Sequence, residues 1–241
     1  MTWLDDLVAF AQTRLDDRAR EALWGRGVTD EQMVLYKIGH LNSILPSLPM
    51  PDAKEFCEWA RTAGRIDDVF VLPLTNALGQ IQGVQFRHID VSCKGYREFV
   101  LDRDEPVYFG LSQAIEAIWK SERAFIVEGA FDVFPVQRAV PYTFATLTAR
   151  VPEQLIRFLR RLVSHVSLGY DMDKTGRAAC SRFSSAHGAD FDVQIIDYPP
   201  ARLADGKLAK DPSEIWEAWG DDRLQAFLLS TQETYYAPNL R

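Results

Sequence analysis

The sequence predicts an α/β fold in two parts. A smaller N-terminal part, helical and then β-rich, precedes a mainly parallel, Rossmann-like sheet with helices on both faces. Two patterns carry this expectation. From Ser112 onward, short apolar runs alternate with amphipathic stretches, which is the signature of βαβ units. Between Asp68 and Leu101, β-branched and aromatic runs follow one another with only turn residues between them, which suits hairpin pairing. The chain has 241 residues, 47% hydrophobic and 25% charged, so it can bury one large core or two compact ones and is not a disordered polymer.

Taken in order, Leu4, Leu7, Val8, Ala11, Leu15, Ala19, Ala22 and Leu23 put residues 3–24 on a helical period, which Gly25-Arg26-Gly27 breaks. Thr29 stands three residues before Gln32, a capping-box start for a short helix through Tyr36, with Gly39 as its stop. Asp52 and Glu55 repeat the start signal ahead of Phe56, Trp59 and Ala60, and Gly64 closes that helix, so the first sixty-odd residues are expected to be helical. Strands are expected at Asp68–Leu74 and Ile81–Ile89, joined by a turn at Thr75–Gly79, and a further one at Tyr96–Leu101. The alternating half then reads as strands at Ala124–Val127, Thr143–Leu147, Val166–Tyr170 and Asp192–Ile196. Between them lie helices at Phe131–Ala139, Pro152–Val163 and Gly176–Ala186. A polar loop over 199–212 leads to two short helices, Glu214–Trp219 and Asp222–Leu229.

Several function classes are disfavoured by what the chain contains. No apolar run approaches the roughly 18 to 20 residues of a membrane span, and MTWLDDLVAFAQ carries acids where a secretion signal carries bases, so a cytoplasmic, membrane-free protein is expected. Cys57, Cys93 and Cys180 are scattered and form no Cys-x-x-Cys pair, which argues against disulfides and a zinc ribbon. The four histidines form no His-x-x-x-His pair, and there is neither a Gly-x-Ser-x-Gly elbow nor a Walker loop. A net charge of −7 rules out a globally basic coat, while leaving room for a local basic groove or for acids that hold metal.

The acids are placed for chemistry. In an open α/β sheet, ligands gather beyond the carboxyl ends of the strands. Glu128 follows one expected strand, Asp171 and Asp173 follow another, and Asp211 lies in the loop after the last. Hard oxygen donors converging from several strand ends suit Mg²⁺, which takes one or two carboxylates together with waters and phosphate oxygens. Gly176, at a helix start after Asp171-x-Asp173, leaves backbone N–H groups open to a phosphate. Singly, an acid at a helix N-terminus is usually a cap; three strand ends with acids in order favour a site.

Glu128-Gly129-Ala130-Phe131-Asp132, Asp171-Met172-Asp173-Lys174-Thr175-Gly176-Arg177 and Lys210-Asp211-Pro212-Ser213-Glu214 resemble the three signatures of the TOPRIM domain. Upstream, Leu23-Trp24-Gly25-Arg26-Gly27 leading to Tyr36-Lys37-Ile38-Gly39, then Phe70–Leu74, Gly79–Gly83, Phe86-Arg87 and Tyr108-Phe109-Gly110-Leu111, resemble the DnaG-like primase catalytic core. The resemblance covers about residues 15–220. It implies an N-terminal primase subdomain over 1–120 (helical 1–66, β-rich 67–111), a TOPRIM catalytic domain over 121–220, and a C-terminal helix and tail over 221–241.

The same resemblance implies the chemistry. Glu128, Asp171, Asp173 and Asp211 would be the catalytic acids that hold Mg²⁺ or Mn²⁺, with no zinc, and Asp132 a supporting acid. Arg87, Lys94, Arg97, Arg103 and Lys210 would grip single-stranded DNA template and ribonucleoside triphosphates, with Arg65 a weaker candidate. Tyr96 and Phe99 are candidates for base stacking, with core packing the alternative. The implied activity is synthesis of short RNA primers in a bacterial or phage-infected cytoplasm. The alternatives are a TOPRIM nuclease and a non-catalytic nucleic-acid-binding module. Three departures stand out. Ser213 replaces an acid or amide, Ala145–Ala149 replaces a glycine-containing turn, and no zinc-ribbon cysteines or helicase-binding domain flank the core. A phage or mobile-element primase core, or a fragment, would fit, with a replicative helicase or a zinc-ribbon-bearing partner acting in trans.

Overall fold

The computed structural model describes residues 2–43, 54–63, 67–90, 92–93 and 95–236. The chain divides into two compact units between Val107 and Tyr108. The start signal at Asp52, the stop at Gly64 and the candidate bases Arg65 and Lys94 lie outside the described residues.

In the first unit, α1 (Trp3–Gln12) and α2 (Asp17–Trp24) stand where the periodicity runs unbroken over 3–24. The apolar period does continue, but Asp16 accepts the Ala19 N–H at 2.8 Å and starts a new helix. Helix α3 (Asp30–Leu35) begins on the expected capping box, with Thr29 and Gln32 exchanging hydrogen bonds at 3.1 and 3.2 Å. The all-helical expectation for the first sixty-odd residues then fails: Gly39–Ser43 is a strand, β1. Its pairing is the cause. β1 lies antiparallel on β2 (Asp67–Thr75), with His40 opposite Phe70. A Cβ at Gly39 would sit 2.4 Å from the Ala11 Cβ, so only glycine lets the strand lie this close to α1.

Helix α4 (Lys54–Thr62) precedes β2, which is followed by β3 (Ile81–His88) and β4 (Tyr96–Val100). The four strands form one antiparallel sheet in the order β1-β2-β3-β4. Asn76 closes the expected turn, its side chain accepting the N–H groups of Leu78 and Gln80 at 3.0 and 3.1 Å. The core beneath the sheet is aromatic: Trp3, Phe56, Trp59, Phe86 and Phe99 stack and tilt against one another at 5.3 to 6.1 Å. At one end, His40 is 0% exposed and its Nε2 lies 3.1 Å from Asp68 Oδ1, while Arg18 forks onto both Asp68 oxygens.

The second unit alternates as expected: β5 (Arg123–Val127), α6 (Ala130–Gln137), β6 (Thr143–Ala145), α7 (Glu153–Leu159), β7 (His165–Leu168), α8 (Lys174–His187) and β8 (Asp192–Ile195). All pairs are parallel, in the order β6-β5-β7-β8. Ala124, Phe125, Ile126 and Val127 are each fully buried, which is why this central strand reads as an unbroken apolar run. A helix that the sequence reading did not assign, α5 (Leu111–Ser121), precedes β5; α9 (Pro212–Trp219) and α10 (Asp221–Tyr236) follow the sheet. The last is longer than the expected Asp222–Leu229 because its buried face continues past Leu224 and Leu228 to Gln232, whose side chain is hydrogen-bonded to Tyr142 and Gln194. No helix of the described residues is long and apolar enough to cross a membrane.

Strand β6 ends two residues before the expected Leu147, because Leu147 has φ +64°, in the left-handed region. A Cβ there costs about 1 kcal/mol or more, and only the burial of the leucine side chain offsets it. Leu147→Ala and Leu147→Gly both lose that burial, but only glycine also relieves the backbone. Leu147→Gly should therefore unfold about 2–4 °C above Leu147→Ala in differential scanning calorimetry. Equal or reversed midpoints would mean that the backbone at 147 relaxes at no cost.

Candidate active site

The strand order reverses between β5 and β7: the chain runs from β5 to β6 on one side, then returns to β7 on the other. At such a switch point the loops leaving the two central strands part and open a crevice. Glu128 is the first residue beyond β5, and Asp171 lies just beyond β7. The loop before α9 comes alongside, the Met172 N–H donating to the Lys210 carbonyl at 2.6 Å, and this brings in Lys210 and Asp211.

The acids feel one another. Burial first, then the charges of Asp171, Asp173 and Asp211, push the Glu128 carboxyl up to about 7. Burial likewise pushes Asp211 up to about 6, against the Glu214 N–H bond that favours its charged form. Asp171 is raised by burial and opposed by Lys210, whose Nζ lies 3.6 Å from Asp171 Oδ2 and 3.7 Å from Asp211 Oδ2. Asp173 is more exposed. Its Oδ1 caps α8, accepting the N–H groups of Thr175 and Gly176 at 2.8 and 2.9 Å. A Cβ at Gly176 would lie 2.1 Å from the Asp171 carbonyl oxygen, so glycine there lets α8 start against the Asp171 loop. Asp132 is 5% exposed and accepts three hydrogen bonds, from Gly129 N–H at 3.0 Å, Ser213 N–H at 3.1 Å and the Ser213 hydroxyl at 2.8 Å.

The structure thus brings Glu128, Asp132, Asp171, Asp173, Lys210 and Asp211 into one neighbourhood of the second unit. The remaining basic candidates belong to the first. Arg87 closes β3 with its guanidinium carbon 5.7 Å from the centroid of the exposed Tyr96 ring. Arg97 donates to the carbonyls of Ala63 and Tyr96 at 2.7 and 3.1 Å, so part of its guanidinium is spent on backbone. Arg103 is exposed on the rim of a 330 Å³ cavity that it shares with Glu58, Trp59 and Glu98. Phe99 is core, as the packing alternative had it.

The donor set suits a divalent cation: hard carboxylate oxygens whose ionisation is held back by burial and by one another, a cost that a bound cation would remove. Among the described residues no three His, Cys, Asp or Glu side chains are drawn together tightly enough to enclose an ion. Mg²⁺ does not require such a cage, since it keeps several waters and shares its remaining positions with phosphate oxygens.

Comparison with known proteins agrees with this architecture. Residues 125–215 match the Toprim-like family. Over 95% of the chain the fold superimposes on the zinc-binding and RNA polymerase domains of the Aquifex aeolicus primase, with a TM-score of 0.73 at 22% identity and 60% of that chain covered. It also superimposes on a DnaG primase catalytic domain bound to single-stranded DNA, with a TM-score of 0.73 at 20% identity, covering 95% of this chain and 77% of that one. The fold is therefore that of the DnaG primase catalytic core. In sequence, the chain is 25% identical over 181 residues to a DNA primase of Synechococcus elongatus, covering 66% of this chain and 26% of that protein. The chain spans about a quarter of the length of the curated primases it matches first.

Sequence reasoning missed two residues around the Toprim-like acids. Ser213 was read only as a missing acid, yet it donates twice to Asp132. Tyr198 has its hydroxyl buried without a hydrogen-bond partner, and burial, then the charges of Asp132 and Asp211, push it well above its usual value. Neither has a local signal, because the Ser213 bonds and the placing of Tyr198 near Asp132 and Asp211 are both made across the fold.

The Glu128 shift has a measurable consequence. A carboxyl whose folded pKa is raised weakens the fold as pH climbs from its ordinary 4.5 to about 7 and adds no further change above that. In the metal-free chain, Glu128→Gln should therefore be more stable than wild type at neutral pH, by on the order of 1 kcal/mol after solvent screening. The gap should close toward pH 4.5 in thermal melts with EDTA. A gap that is constant with pH would remove Glu128 from the buried acidic cluster.

Proposed function

We propose that the chain is a primase core that makes short RNA primers on single-stranded DNA by metal-dependent nucleotidyl transfer. The observation that carries this reading is the convergence of Glu128, Asp171 and Asp211 from three separate places in the chain onto one switch point, close enough to raise one another's pKa. The likeness in fold to primase cores, and the DNA primases found among the relatives, support the same assignment. In this reading residues 121–220 are the catalytic domain, 1–120 the subdomain that grips the template, and 221–241 a C-terminal helix and tail.

In the reaction a 3′-hydroxyl displaces pyrophosphate from the α-phosphate of the next ribonucleotide. Most of the work is positioning and charge neutralisation. Mg²⁺ or Mn²⁺, when bound, would supply that neutralisation. Glu128, Asp171, Asp173 and Asp211 would hold it, and a bound cation would offset the cost that burial places on the charged forms of Glu128, Asp171 and Asp211. Lys210, which sits between Asp171 and Asp211, adds a fixed positive charge where a triphosphate would lie. Arg87 is the leading template contact; Lys94, Arg97 and Arg103 are weaker ones. Single-stranded DNA, found on a neighbour of the same fold, is the template this reading needs. A net charge of −7 means that binding must be local and steeply salt-dependent. A replicative helicase or a zinc-ribbon partner would supply template choice.

The deciding experiment is incorporation of labelled ribonucleotides on random single-stranded DNA with Mg²⁺ or Mn²⁺. Wild type should make short RNA, and Asp171→Ala and Asp173→Ala should fall to background; without metal, Asp171→Ala should unfold at or slightly above the wild-type temperature, whereas Asp173→Ala, which loses the cap of α8, should unfold below it. Metal-dependent cleavage of end-labelled DNA or RNA that is lost in Glu128→Gln, with no incorporation, would replace this reading by a nuclease. Separately, the affinity for single-stranded DNA should fall linearly in log–log salt titrations, and Arg87→Ala should lower the slope by about 0.7, one phosphate contact. An unchanged slope would remove Arg87 from the template path.

A further inference from the structure

Both oxygens of Asp132 accept hydrogen bonds from the protein. Oδ2 accepts the Gly129 N–H at 3.0 Å, and Oδ1 accepts both the Ser213 N–H at 3.1 Å and the Ser213 hydroxyl at 2.8 Å. Gly129 is the N-cap residue of α6 and directly follows Glu128. Ser213 lies in the first turn of α9, two residues after the cap Asp211. The first N–H groups of a helix have no partner within it, and here one carboxylate, 5% exposed, serves the starts of two helices at once.

We propose that Ser213 and Asp132 are positioning residues: together they clasp the start of α9 to the start of α6 and so set the spacing between Glu128 and Asp211. The inference rests on the metal-holding role assigned to those two acids above. A carboxylate spent in this way has little left to offer a cation, so Asp132 supports the site by holding its neighbours in place. The clasp also accounts for a serine at 213. A hydroxyl donates to the buried carboxylate, whereas an acid at the same 2.8 Å would repel it. Pro212 stiffens the first turn, and Asp211 caps the same helix through the Glu214 N–H at 2.8 Å, so displacing Ser213 displaces Asp211 with it.

The test measures Mn²⁺ binding by the full chain, read as loss of the free Mn²⁺ electron paramagnetic resonance signal well below the melting temperature, with melts in EDTA alongside. Ser213→Ala keeps the backbone bond and loses the hydroxyl. It should bind Mn²⁺ about 10-fold more weakly, in the range seen when groups behind a metal ligand are removed. Ser213→Thr retains the donor and should recover wild-type binding, while Ser213→Cys, a weak donor of similar size, should fall between. A fold-wide role would lower the melting temperature of Ser213→Ala without changing Mn²⁺ affinity, and that result overturns the proposal. Failure of Ser213→Thr to recover binding overturns it as well. If wild type itself binds no Mn²⁺, the metal reading falls and this inference falls with it; if wild type binds and Ser213→Ala binds equally, only the clasp is lost.

Discussion

Carboxylates gathered at the ends of parallel strands repel one another, and burial removes the water that would screen them. The second unit is arranged around containing that repulsion. Asp173 and Asp211 each spend one oxygen on the start of a helix, where free N–H groups and the helix dipole favour negative charge. Asp132 spends both. Lys210 places its ammonium between Asp171 and Asp211. Glu128 has neither a cap nor an ion pair among the described residues, and its carboxyl is pushed up to about 7. The devices that let the acids coexist also orient them: a capped carboxylate cannot rotate freely, so its remaining oxygen keeps a fixed direction.

This arrangement depends on topology before it depends on any side chain. Because β7 lies on the opposite side of β5 from β6, the loops after β5 and β7 leave adjacent strand ends in different directions. Close packing fixes those loops. Gly169 lies so near Phe125 and Tyr198 that a Cβ would approach within 2.5 and 2.8 Å, and Gly176 is held against the Asp171 backbone in the same way. The first unit is built differently. Its antiparallel sheet buries Val69, Val71, Val84 and Phe86 against α1 and α4, and it carries Arg87 at the end of β3 beside an exposed tyrosine. Its ionic network at Asp68, Arg18 and His40 serves packing, since His40 is wholly buried there.

What could be read from the sequence follows the same division. Strands β5 to β8 were legible because strands covered on both sides must be apolar throughout, and the acids were legible because the end of each such run is a fixed place in the fold. Strand β1 was not: Gly39-His40-Leu41-Asn42-Ser43 offers one aliphatic residue, and the burial of His40 depends on Asp68, twenty-eight residues away. Helix α5 has a proper apolar face in Leu111, Ala114 and Ile118, but neither end carries the usual signal. It starts after Gly110 at φ +85° with no side-chain cap and ends on Glu122 at φ +54°, where glycine would be the common choice. The break between α1 and α2 was hidden by the opposite effect, an apolar period that runs straight through it.

The two places where this chain departs from the pattern its motifs resemble are instructive together. At 147, where a glycine-containing turn was expected, the backbone still adopts the left-handed conformation, now with leucine paying the steric cost and burying its side chain. The turn is held by Thr146, whose hydroxyl donates to the Thr148 carbonyl at 2.8 Å and lies 3.1 Å from the Tyr170 hydroxyl, at the edge of the Asp171 loop. At 213, where an acid or amide was expected, a serine bridges to Asp132, eighty-one residues earlier. In both cases a hydroxyl bonded across the site holds the local geometry. A hydroxyl can either donate or accept, which lets it serve a buried carboxylate without adding charge. With repulsion already the limiting cost, exchanging an acid for a hydroxyl lowers the charge of the cluster by one and leaves its framework standing.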